Sequence, residues 1–307
     1  MRKRVQWAAI VLTASLGCVG HAAEVDQAAL AKLEERIRSG QLAGVHSVVV
    51  VQHGKTIAEW YFEGADETIG RPLGTVKFGP ETLHDVRSVT KSVVSMLFGI
   101  AFSEGAIKDL GTPVLDYFPE YTDLHTPDRM KITLRDVLSM TSGLHWDEMT
   151  YPYTDPRNSE IAMTNAEDRY RYALSQPIDS PPGQRWAYSG GDVELIGAVI
   201  ARATKTPLET YAQQKIFGPM AMNHGWFKYK DIPAAASGLR LSPRDMAKLG
   251  VMMLNKGRWD DRQIVPEQWV DLSTTRHAQI ELDPQCGLAY GYFWWLGPGC
   301  ASTPPTP

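Results

Sequence analysis

"RSVTKSVVSMLFGIA" (Arg87 to Ala101) decides how the rest of the chain is read. Val89, Val93, Leu97 and Ile100 recur at helical spacing, and Val94 and Phe98 widen the apolar face. A helix that is apolar nearly all round belongs in the middle of a fold. Its first turn nevertheless carries Ser88 and, three residues on, Lys91. Side chains at that spacing share a face, with Cβ atoms about 5–6 Å apart. A serine hydroxyl is a poor nucleophile until a base takes its proton. A lysine serves when burial and the positive end of the helix lower its pKa, and the same helix start offers N–H groups to an oxyanion. The plainer alternative is a Ser88 that caps the helix and a Lys91 that snorkels to water. The four residues "SVTK" do not choose between them, because SxxK is a short pattern.

Upstream, "DQAALAKLEERIRSG" (Asp26 to Gly40) has Leu30, Leu33 and Ile37 at helical spacing. "VHSVVVVQHGKTIAEWYFEG" reads as two strands joined at His53–Gly54, and a polar, glycine-containing stretch then leads to the central helix. From Lys108 to Asn255 the pattern is helices and loops with little strand character. "TLRD" (Thr133 to Asp136) and "SPRD" (Ser242 to Asp245) each place a hydroxyl at a helix cap and an acid three residues on. "DVELIGAVIARATKTP" sets Val193, Ile196, Val199 and Ile200 on one face, and "PEQWVDLS" reads as a short helix. "LAYGYFWWLG" reads as an aromatic strand.

A second candidate for chemistry is "PPGQRWAYSGGD", where Tyr188 sits in a glycine-rich loop before a helix. Near Ser88 and Lys91 it would relay a proton to a leaving group; alone it reads equally as a tyrosine packed on a turn. "HWDE" (His145 to Glu148) fits an acid/base cluster, or a loop after the "TSG" turn with Trp146 lining a pocket. There is no GxSxG elbow, and no histidine is visibly tied to an acid. The eight histidines are scattered without HExxH, so no metal or other cofactor is expected.

The first residues join a basic start, "MRKR", to a short apolar run and the small-residue site "HAA", the layout of a signal peptide over 1–23. Export to the periplasm or medium is therefore expected, with no stable membrane span; lipidation at Cys18 is disfavoured by Ser15. Loss of Arg2, Lys3 and Arg4 takes the formal charge from −4 to −7, which argues against nucleic acid as a partner. Cys286 and Cys300 would then be the remaining cysteines, free or paired. Oligomeric state is not legible.

Together these segments resemble the serine β-lactamase-like hydrolases: class C β-lactamases, DD-peptidases, β-lactamase-like esterases and 6-aminohexanoate-dimer hydrolases. "RSVTKSVVSMLFGIA", "KITLRDVLSMTSGLHWDE", "PPGQRWAYSGGDVELIGAVIARATKTPLETYAQQKIFGPMAM", "SGLRLSPRDMAKLGVMMLNKGRWDDRQIVPEQWV" and "YGYFWW" follow one another in the order such enzymes show. The resemblance implies an α+β fold, an antiparallel sheet with flanking helices and an inserted all-helical subdomain. The sheet part would take residues 24–107 and 256–296, the helical part 108–255, with an irregular tail over 297–307. It implies Ser88 as the acylated nucleophile, Lys91 as its base, Tyr188 as proton shuttle, and Trp146 and Gly190 against a small ester, amide or lactam substrate. Gly190 stands where the group's YxN motif has Asn, which tilts the reading toward esters and short amides and away from classical β-lactam recognition. The third motif, a KTG, HxG or GxG strand, is expected a short interval after "YGYFWW" and is not found there; "WLG" (Trp295 to Gly297) resembles the WxG variant of some esterases but reads as a direct continuation of that strand. A C-terminally truncated member, lacking its last sheet strands and final helix, is the resulting expectation. The alternatives are a β-lactamase or DD-peptidase-type penicillin-binding hydrolase and a non-catalytic remnant or binding protein.

Overall fold

The computed structural model describes residues 25–280 and 287–297. The signal segment, both Cys286 and Cys300, and the tail from 298 lie outside the described residues. Helix α1 (Gln27–Arg38) starts at Asp26, whose carboxylate accepts the Ala28 N–H at 2.8 Å. Strands β1 (Ser47–Gln52) and β2 (Lys55–Tyr61) form the expected hairpin, turning at His53 and Gly54, both at positive φ. The polar stretch after it is a second hairpin, β3 (Glu63–Thr68) and β4 (Arg71–Lys77), rather than a loop. Its reversal rests on two successive left-handed residues, Ile69 (φ 46°) and Gly70 (φ 74°), a geometry that matches strand twist and owes little to an apolar face.

β5 (His84–Asp85) leads into the central helix α2 (Val89–Ser103). Three 3-10 turns follow, then α3 (Leu134–Leu138), α4 (Ser159–Asn165), α5 (Arg169–Ser175), α6 (Gly190–Thr204) and α7 (Leu208–Ala212). Short strands β6 (His224–Trp226), β7 (Lys228–Tyr229), β8 (Ile232–Pro233) and β9 (Leu239–Leu241) precede α8 (Pro243–Leu254). The chain continues through β10 (Arg258–Trp259), β11 (Arg262–Gln263), α9 (Glu267–Ser273), β12 (Ala278–Gln279), β13 (Ala289–Tyr290) and β14 (Trp295–Leu296). Both expected caps form. Thr133 and Asp136 exchange bonds in a capping box, and Ser242 accepts the Asp245 N–H at 3.1 Å with Pro243 in the first turn.

All strand pairings are antiparallel, as the α+β reading requires, but among the described residues they are spread over six small sheets. The core lies elsewhere, between α2 and α6. Val93, Val94, Leu97, Phe98, Val193, Leu195, Ile196, Val199 and Ile200 are all fully buried. Each such side chain contributes about 1.5–3 kcal/mol by leaving water. Trp269 of α9 closes the core over Gly99 of α2, where any Cβ would run into the indole.

"LAYGYFWWLG" does not run as one strand. β13 stops at Tyr290, the chain reverses through Gly291 to Trp294, and β14 returns beside it, pairing Tyr290 with Trp295 and Ala289 with Leu296. Three anchors force the reversal. Tyr292 N–H donates to Ser273 O (2.9 Å), Phe293 N–H to Leu138 O (3.2 Å), and Ser92 Oγ–H to Phe293 O (3.0 Å). "WLG" is therefore a return strand, not a continuation of "YGY".

Candidate active site

Ser88 stands at the start of α2, one residue after a strained one. Arg87 has φ 46°, in the left-handed region, which costs a non-glycine residue about 1–2 kcal/mol. The turn is held by Thr90, whose hydroxyl donates to Arg87 O (2.6 Å) and accepts the Leu239 N–H (3.2 Å). Val86 N–H donates to Leu239 O at 3.0 Å, so β9 fixes both sides of the nucleophile turn. Backbone strain of this kind persists where surrounding contacts over-determine it.

The geometry chooses between the two readings of SxxK. Ser88 makes no side-chain cap bond. Lys91 is 2% exposed and does not snorkel; its Nζ donates to Ser88 Oγ at 3.3 Å and to Ala236 O at 2.9 Å. It also sits 5.0 Å from the centre of the Tyr188 ring. The three residues that the sequence reading grouped thus form one cluster at the start of α2 and just before α6, with Lys91 and Tyr188 buried and Ser88 half-buried.

One expectation reverses. Burial does pull the Lys91 ammonium down, but the Tyr188 oxygen and the single charge of the Glu148–Glu160 pair outweigh it, and Lys91 is held above the ordinary lysine range. Desolvation alone predicted a neutral lysine; the acids that change the sign lie 57 and 69 positions away in sequence and reach the site only through folding.

Gly190 explains where those acids sit. A Cβ there would lie 2.5 Å from Glu160 Oε2 and 3.1 Å from Glu148 Oε2, so the missing side chain is room for two carboxyl groups. Glu148, 2% exposed, accepts from the Gly190 N–H (2.6 Å), Trp146 Nε1–H (2.9 Å) and the Tyr153 hydroxyl (2.8 Å). Trp146 is half-buried against Gly191, where a Cβ would fall 2.6 Å from its ring. The indole therefore positions Glu148. Glu194 of α6 accepts the Ala236 N–H (3.1 Å) and pairs with Arg169 (2.9 Å), fixing the segment whose carbonyl receives Lys91.

Sequence reasoning set Glu148 aside and missed Glu160, Glu194 and Ala236. The one signal for them was Gly190 itself, since a lost polar side chain asks what fills its space. Trp295 of β14 was also missed as a neighbour of Tyr188; their rings lie 5.5 Å apart, and Trp295 remains 44% exposed. His145 proves to be tied to an acid, Asp179 (2.7 Å), but the pair is largely exposed and the serine's hydroxyl is served by Lys91 instead. Among the described residues no group of three or more His, Cys, Asp and Glu is placed to hold a metal, and no helix is long and apolar enough to cross a membrane.

A central helix headed by a serine–lysine–tyrosine cluster and flanked by helices and antiparallel strands is the arrangement of the β-lactamase/DD-peptidase-like fold. The beta-lactamase family profile matches residues 29–302, and the chain belongs to that family. In sequence it is similar to Protein flp of Staphylococcus aureus strain MW2, 24% identical over 202 residues, covering 64% of this chain and 37% of that one. Esterase EstB of Burkholderia gladioli is 26% identical over 215 residues, 68% of this chain and 52% of that one. The chain thus spans between about a third and a half of the length of these curated relatives. Among solved structures it resembles a protein assigned as a 6-aminohexanoate-dimer hydrolase from Bacillus anthracis, with TM-score 0.69, 21% identity and coverage of 88% and 68%. A penicillin-binding protein from Bacillus halodurans gives TM-score 0.63, 17% identity and coverage of 86% and 83%. At these identities the structural likeness speaks for the fold.

Proposed function

We propose that the protein is a serine hydrolase that cleaves a small ester or amide through an acyl-enzyme on Ser88. The observation that carries this is the Lys91 Nζ, buried and 3.3 Å from Ser88 Oγ with the Tyr188 ring beside it. As Ser88 Oγ attacks the carbonyl carbon, its proton passes to the Tyr188–Lys91 pair and from there to the leaving group; water then releases the acid. The Ser88 backbone N–H at the head of α2 is one oxyanion donor, a role whose loss costs about a hundredfold or more. Trp146 and Trp295 flank the cleft as apolar walls.

Gly190 and the acid pair that occupies its space favour esters and short amides over β-lactams, because no side-chain amide stands at that position to receive a lactam or peptide amide. The name of the EstB relative points the same way. Parallel rates on a nitrophenyl ester and a chromogenic cephalosporin test the order: faster ester turnover is expected, and equal or faster cephalosporin turnover overturns it. Export, read from the first 23 residues, belongs to the same proposal. A second reading, a protein that binds a lactam without turnover, is favoured by Lys91, whose ammonium is held above the ordinary lysine range and so resists taking the Ser88 proton. A tight lactam complex with no covalent bond would select it.

A further inference from the structure

The acyl-transfer reading uses Ser88, Lys91 and Tyr188 and leaves the two acids beneath Gly190 without a part. Any part given to them rests on that reading. Glu148 comes from the loop after α3 and Glu160 from α4, and their Oε2 atoms converge on the point a Gly190 Cβ would occupy. Two carboxyl groups this close cannot both ionise. The geometry says which one does. Glu148 accepts three hydrogen bonds, from the Gly190 N–H, Trp146 and Tyr153. Glu160 accepts one, from the Ser237 hydroxyl at 3.3 Å. Burial works against the Glu148 charge, but Lys91, Glu160, Trp146 and the Gly190 N–H outweigh it and hold Glu148 below the ordinary glutamate range. Burial and the Glu148 charge push Glu160 well above that range, so Glu160 keeps its proton and donates a hydrogen bond to Glu148.

We propose that Glu148 is a positioning residue for the acyl transfer: with Glu160 it forms a buried acid pair beside the Lys91–Tyr188 cluster, and Glu148 carries the charge of that pair. The link is geometric, since Glu148 accepts the Gly190 N–H two residues after Tyr188, and Glu160 accepts from Ser237, next to the Ala236 carbonyl that receives Lys91. Among the described residues no other group facing Lys91 fills this part. Tyr188 lies before α6 and shares the working proton. Glu194 of α6 is already neutralised by Arg169 of α5 at 2.9 Å. Tyr153 bonds Glu148, and Tyr290 and Asp192 feel its charge from farther off; burial pushes all three above their ordinary values.

The consequence is kinetic. At rest Lys91 is an ammonium. It must lose a proton before it can accept the Ser88 proton, which it takes as the Oγ–carbon bond forms and which leaves as the leaving-group bond breaks. A buried anion beside it makes that first loss harder, so Glu148 sets the pH at which Ser88 becomes reactive.

The test follows Ser88 phosphonylation by a fluorophosphonate, in which Oγ bonds phosphorus and fluoride leaves, read by intact mass from weakly acid to alkaline pH. It compares the parent chain with Glu148→Gln and Glu160→Gln. In Glu148→Gln the rising limb of the rate should move to lower pH by about 1–3 units, the usual effect of removing a close opposite charge. Glu160→Gln, a neutral group replaced by a neutral one, should keep the midpoint in place whatever it does to the rate. A uniform loss across all pH in Glu148→Gln, with the midpoint unmoved, would make the residue structural and overturn the proposal. An equal shift in Glu160→Gln would place the charge on the wrong acid. A measurement independent of the variants' folding is the ¹⁵Nζ titration of Lys91 in the parent, identified by Lys91→Arg. An ammonium through neutral pH is expected, and a neutral amine there overturns the proposal. A parent chain that forms no Ser88 adduct at any pH overturns the hydrolase reading and this one with it; an adduct with an unmoved limb overturns this one alone.

Discussion

The helical half of the molecule and its paired strands are built to different standards. α2 and α6 bury most of the residues they own, and two of their buried charged side chains, Lys91 and Glu194, are bonded into the site. The hairpin β3–β4 has no fully buried residue, and the β1–β2 hairpin buries only Ala58. A two-stranded hairpin by itself is marginal in water. The site is therefore held by the helix pair and the two short segments laced to it, β9 and the β13–β14 turn. The difference predicts where substitutions will hurt.

The largest expected effect is Gly99→Ala. Its Cβ would enter the Trp269 ring, and neither α2 nor α9 can yield without opening the core. Overpacking of this kind costs about 3 kcal/mol or more. Urea melts should show it, and a loss below 1 kcal/mol, roughly the cost of a tolerated swap, would break the claim that the helix pair is rigid.

A smaller effect concerns Asp192, in the first turn of α6. Burial holds its carboxyl well above the ordinary range, with Ser142 and Ser189 opposing only in part. A raised folded-state pKa gives stability that is full below the unfolded value and lost as pH rises through the folded one. Asp192→Asn removes that loss. Relative to the parent, the variant should gain about 1 kcal/mol or more between about pH 5 and about pH 8. A constant difference across that window would show that Asp192 titrates normally.

The smallest effect belongs to the hairpins. Leu73 of β4 is 48% exposed, and Leu73→Thr should change stability by less than about 0.5 kcal/mol, as surface substitutions usually do. A larger loss would mean that β3–β4 is covered by something that matters to folding, and the contrast between the two halves would need revision.

The same contrast explains what was legible in the sequence. Ser88 and Lys91 were visible because helical periodicity is a local signal, and three residues on one helix fix their own distance. The Thr133 and Ser242 caps were visible for the same reason. Tyr188 was readable as a candidate, but its approach to Lys91 depends on α6 packing against α2. The charge of Lys91 was misjudged because Glu148 and Glu160 reach it through tertiary contacts that no spacing rule encodes. The β3–β4 hairpin escaped notice since its reversal is carried by an isoleucine in left-handed geometry, a residue that rarely signals a turn. The β13–β14 reversal escaped because its anchors, Leu138, Ser273 and Ser92, lie far from "YGYFWW" in sequence.

The most direct test of the central claim is the intact mass of the full chain after incubation with a fluorophosphonate, beside a Ser88→Ala control. One adduct on the parent, absent from the control, is predicted, because Lys91 and Tyr188 already stand at the serine. A folded parent chain that gains no mass would contradict that claim, and would reduce the resemblance to a shared fold without its chemistry.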